Sequence, residues 1–65
     1  MSVLPPVPFA DQIHCVTREL KYRRRVYARR VEAGTMTQVQ ADRELHHMEA
    51  VLETVEKAAS TERLI

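Results

Sequence analysis

VEAGTMTQVQA, residues 31–41, decides the fold. It holds the chain's one glycine, Gly34, placed directly after a long periodic segment, where a helix needs a residue that enters the left-handed region without penalty. Thr37 and Gln40 follow as T-x-x-Q, the spacing of a reciprocal capping box in which each side chain bonds the other residue's backbone N–H. Met36 before the cap and Ala41 four residues after it are placed as a weak hydrophobic staple. One helix therefore ends at Gly34 and another starts at Thr37. A turn as short as Gly34–Met36 forces the two antiparallel.

On the N-terminal side, Phe9 to Ala33 contains no Gly or Pro, and Phe9, Ile13, Val16, Leu20, Tyr27 and Val31 form one apolar stripe at helical spacing. The step from Leu20 to Tyr27 skips a seat near Arg23 and Arg24. Cys15, Tyr22, Val26 and Ala33 project as a second, narrower apolar strip. A single neighbouring helix covers one strip only, so this helix calls for two neighbours. On the C-terminal side, Ala41, Leu45, Met48, Leu52, Val55 and Ala59 alternate spacings of four and three, a heptad seam flanked by Val51. The Ser/Thr pair in STERLI, residues 60–65, favours capping over continuation, which predicts fraying or a restart there.

Before the first helix, MSVLPPVP holds all three prolines and cannot propagate a helix. It reads as an extended arm whose Leu4 and Val7 suit a helical surface, or as a disordered tail. The organisation predicted is an arm over 1–8, an αα-hairpin over 9–59 with helices at about 9–33 and 38–59, and a tail over 60–65.

Sixty-five residues bury too small a share of their surface for much stability as a monomer. Cys15 is the sole cysteine, so no disulfide closes within the chain, and a lone thiol with no evident signal peptide fits a reducing cytoplasm. Association is the remaining support. The fold class expected is all-α, an antiparallel two-helix hairpin with an extended Pro-rich arm, dimerising into a four-helix bundle. Its oligomer core is Ile13, Val16, Leu20, Tyr27, Val31, Leu45, Met48, Leu52 and Val55. The apolar runs are too short for a membrane span.

The net charge of +1 hides a strong segregation. Arg18, Lys21, Arg23, Arg24, Arg25, Arg29 and Arg30 place seven of the ten basic residues in thirteen positions, with Glu19 the one acid among them. Residues 42–62 carry six acids against Arg43 and Lys57. Arg18, Lys21, Arg25 and Arg29 form an outward stripe; with Tyr22 and Val26 they are the candidate partner-binding residues. Arginine forks suit phosphate, and interleaved tyrosines stack on unpaired bases, so nucleic acid is one candidate partner. The competing expectation, favoured by the acids of the second helix, is charge-matched structure or a protein interface. Arg23 and Arg24 border the main seam, where their stems cover apolar surface while the guanidinium reaches an acid.

Catalytic and metal chemistry find little footing. Glu44 and His47 match Glu-x-x-His, yet the main apolar face of the first helix offers no glutamate to complete a di-metal set. Asp42, His46 and Glu49 suit at most an adventitious ion. His14 beside Cys15 points about 100° away from it on a helix and cannot simply act as its base, leaving Cys15 as a small packing residue. Without a Gly-rich phosphate loop or chain enough to enclose a pocket, no enzyme, cofactor, metal or small-molecule substrate is expected.

RRRVYARRVEAGTMTQVQADRELHHMEAVL, residues 23–52, resembles a group of small, uncharacterised helical-hairpin proteins encoded in bacteriophages and prophages. The similarity lies in R-x-x-V-Y (Arg23, Val26, Tyr27), G-x-M-T-Q (Gly34, Met36, Thr37, Gln38) and A-D-R-E (Ala41, Asp42, Arg43, Glu44). The turn is also similar to those of SHOCT-type hairpins. The resemblance implies a phage context. The functional expectation is a non-enzymatic interaction protein that binds and modulates a host protein through the Arg- and Tyr-bearing helix face. A nucleic-acid-binding accessory protein and a structural virion or assembly component are the alternatives.

Overall fold

The computed structural model describes residues 4–63. Two helices, α1 (Phe9–Glu32) and α2 (Gln38–Arg63), pack against each other as an antiparallel hairpin. Residues 1–3 of the expected arm and residues 64–65 of the expected tail lie outside the described residues.

Hydrogen bonds account for the turn group by group. Gly34 adopts φ +80°. Its N–H donates to the Val31 carbonyl at 3.1 Å and that of Thr35 donates to the Arg30 carbonyl at 2.9 Å, which closes α1 in a Schellman motif. The Thr35 hydroxyl adds a third bond, to the Arg30 carbonyl at 3.2 Å. The capping box opens α2: Gln40 N–H donates to Thr37 Oγ1 at 3.0 Å, and Thr37 N–H donates to Gln40 Oε1 at 2.9 Å. Orphan backbone groups at both helix ends are thereby satisfied within five residues of chain.

At the open end of the hairpin the bonding is sparser. Pro8 precedes α1 with no side-chain cap; its carbonyl accepts from the N–H groups of Asp11 and Gln12, both at 3.1 Å, and Gln12 Nε2 donates to the Val7 carbonyl at 2.9 Å. Residues 4–8 form neither helix nor strand; Leu4 is 80% exposed, while Val7, 58% exposed, lines a groove with Gln12, Cys15 and Val16 of α1. Phe9 is half-buried and shares a cleft with Ala10, Ala59 and Glu62.

α2 does not fray at Ser60 but runs on to Arg63, four residues beyond the expected end. The Ser/Thr signal is overridden because the Thr61 hydroxyl donates to the Lys57 carbonyl four residues back, at 3.0 Å, and Ala58 and Ala59 are packed at this point. Thr54 makes the same bond to Ala50.

The seam is the predicted one, and it is thin. Among the described residues only Leu20, Ala41 and Ala59 are buried. Ile13, Val16, Tyr27, Val31, Leu45, Met48, Leu52 and Val55, expected as oligomer core, lie half-buried along the contact between α1 and α2 of a single chain. Arg23 occupies the skipped seat with its stem half-buried, and its Nε donates to Glu19 Oε1 at 2.9 Å. The chain extends 47 × 32 × 15 Å, and its radius of gyration of 15.2 Å exceeds the roughly 11 Å of a compact chain of this length. It is a layer one helix thick, with two broad faces.

Candidate binding surface

Two clefts identify the faces. Tyr27, Arg30, Met36, Gln40 and Glu44 line one side of the seam near the turn. Arg24, Ala28, Glu32 and Gln38 flank the other side, around Tyr27, Val31, Ala41 and Leu45. Carried along both helices at 100° per residue, the first side continues through Arg23, Val26 and Val16 of α1 and Val51, Val55 and Ala58 of α2. The second continues through Lys21 and Thr17 of α1 and Asp42, Glu49, Glu53 and Glu56 of α2. The first face thus carries valines from both helices among polar residues, Arg30, Gln40 and Glu44 near the turn included, and the second carries four of the six acids of α2.

The minor strip of α1 falls at the outer border of the valine-bearing face, and α2 does not cover it. Cys15, Tyr22 and Ala33 are exposed, Tyr22 by 53%, and Val26 is half-buried. Within one chain Cys15 is exposed beside Val7, Asp11, Gln12 and Val16, because α2 does not cover its strip.

Arg18, Lys21, Arg25 and Arg29 are all exposed on the side of α1 turned from the seam. At 1.5 Å rise per residue the row spans about 17 Å. Among the described residues none of the four forms an ion pair. The acids of α2 were expected to balance the arginines of α1; among the described residues one ion pair spans the helices, Arg24 Nη2 to Glu49 Oε2 at 3.6 Å. Helix projection explains the difference. Positions 24 and 49 face each other across the edge of the seam, whereas the outward row and the acids are separated by the width of both helices.

The other two ion pairs among the described residues are local. Glu19 holds the Arg23 guanidinium above the ordinary arginine range, chiefly through the hydrogen bond between them, with the Tyr27 phenol adding to it. Lys57 Nζ lies 2.9 Å from Glu53 Oε1, and that bond keeps the Glu53 carboxyl below its usual value. His14, His46 and His47 are exposed. Among the described residues no three His, Cys, Asp or Glu side chains converge as metal ligands, and no helix is long and apolar enough to cross a membrane. The clefts along the hairpin are open grooves.

Sequence reasoning placed the outward row correctly but missed Val51, treated only as a flank of the seam. It is 48% exposed in the middle of the valine-bearing face, and its signal was present: an aliphatic residue one position off the heptad, on the same side of α2 as Val55 and Ala58. Comparison with family models, curated proteins and solved structures returns no match.

Proposed function

We propose that this chain is a non-enzymatic interaction protein of the phage type its sequence resembles, binding and modulating a host protein through the outer face of α1. Two hairpins pair into a four-helix bundle, and the outward face of each α1 stays available to the partner. One observation carries this reading: Arg18, Lys21, Arg25 and Arg29 lie exposed and without ion pairs among the described residues, beside an exposed Tyr22 and a half-buried Val26. Arginine and tyrosine on a preformed helix are the residue types that anchor protein interfaces, because they bring large contact area with directed hydrogen bonds. An apolar border beside the cations favours a protein partner over a bare phosphate backbone, which needs only charge.

The second reading is a nucleic-acid-binding accessory protein, favoured by the same four cations having no carboxylate partner. The experiment is affinity capture from bacterial host lysate with and without nuclease, comparing the wild type with Arg25→Ala/Arg29→Ala and Tyr22→Ala. A partner retained after nuclease treatment and lost in both variants is the expected result. DNA or RNA binding that falls steeply with salt, vanishes in the double arginine variant and is indifferent to Tyr22→Ala would replace the leading reading with the second. Co-purification with virus particles would favour an assembly component.

A further inference from the structure

We infer that the valine-bearing face of the hairpin docks a second copy of this chain, each α1 lying antiparallel on the partner's α2. The inference rests on the pairing proposed above and assigns its face and register. Surface area is the first reason. The chain exposes 5599 Å², the extended segment before α1 included, whereas a compact monomer of 7.5 kDa exposes about 4,200 Å². A stable interface removes about 800 Å² from each partner, well within that excess. The half-exposed Val51 and the half-buried Val16 and Val55 supply its apolar centre.

Charge selects the arrangement. Within its bounds α1 carries seven cations and three acids, for +4, and α2 carries three cations and six acids, for −3. A two-fold axis parallel to the helices lays each basic helix on an acidic one, so opposite charges neighbour both within and between chains. An axis across the helices would stack like on like. Arg30 and Glu44 flank the same cleft at the turn end without forming an ion pair in one chain. The parallel axis brings Arg30 of each copy to within about one turn of the level of Glu44 in the other, and Val16 level with Val55. Pairing through the opposite face would desolvate four acids of α2, Asp42, Glu49, Glu53 and Glu56, against Glu44 and Glu62 on this one.

Analytical ultracentrifugation tests this. The wild type is expected to sediment at twice the 7.5 kDa chain mass at micromolar concentration. Val51→Glu should weaken pairing by about tenfold or more, because it buries an unpaired charge, while Val39→Glu, at a position 67% exposed on the outer side of α2, should leave the mass unchanged. A mixing experiment guards against simple misfolding of a variant. Arg30→Glu and Glu44→Arg chains should each pair weakly alone, through like charges, and pair strongly when mixed, because both contacts between copies are then restored. A monomeric wild type would overturn the pairing itself. A wild-type dimer that is unaffected by Val51→Glu and gains nothing on mixing would overturn this face while leaving pairing intact.

Discussion

The two broad faces of the hairpin share one seam and differ in everything else. On the charged face, Arg24 and Glu49 close over the seam edge and acids continue along α2, so water solvates the surface well. On the other face, valines from both helices alternate with polar residues, among them Arg23 and Glu19, which bond to each other, and Arg30, Gln40 and Glu44 near the turn. Helix pairing alone does not require this asymmetry, since a two-helix contact buries one stripe per helix. Apolar residues one step off the seam, on the same side of both helices, are what a third and fourth helix would need.

The largest expected effect breaks both faces at once. Among the described residues Leu20 is the one large side chain of the seam that is buried, at 3% exposure, and Leu20→Ala should cost about 2–4 kcal/mol. Thermal unfolding followed by circular dichroism should show loss of most helical signal at ambient temperature, since so thin a core leaves little margin. Next comes the turn, which holds both faces in register. Gly34→Ala meets no atom within 4 Å, so its cost is the backbone strain of φ +80° alone, about 1 kcal/mol in denaturant titration. Thr37→Ala, which removes one bond of the capping box, should cost a similar amount.

Smaller effects sharpen the contrast on the charged face. A double-mutant cycle on Arg24 and Glu49 should give a coupling below about 1 kcal/mol that shrinks with added salt, as for an exposed pair. The smallest effect is the pH response of Glu53, whose folded-state carboxyl is held below its ordinary value by Lys57. Near pH 4 the unfolded chain binds more protons at this position than the folded one. The contribution is therefore present above the unfolded value and lost as pH falls through the folded one. Glu53→Gln should flatten that part of the stability profile, and an unchanged profile would remove Glu53 from the account.

The fold was legible because its determinants are local. Gly34, Thr37 and Gln40 act through bonds spanning at most a few residues, and the heptad from Ala41 to Ala59 repeats along one helix. The end of α2 was misread for a related reason: Ser60 and Thr61 were judged by intrinsic preference, while packing at Ala58 and Ala59 and the Thr61 bond to Lys57 carry the helix on. The candidate surface was half legible. Periodicity identified the outward row of Arg18, Lys21, Arg25 and Arg29, but composition alone suggested that the acids of α2 would neutralise it.

The sequence by itself determined two helices, their antiparallel order, the turn chemistry and the seam, since each depends on spacing along the chain. Only the tertiary structure decided which cations meet an acid and which side of the seam keeps its valines uncovered. Those outcomes depend on the rotation of each helix about its own axis. That rotation is set when two surfaces meet, and neither helix's periodicity specifies it alone.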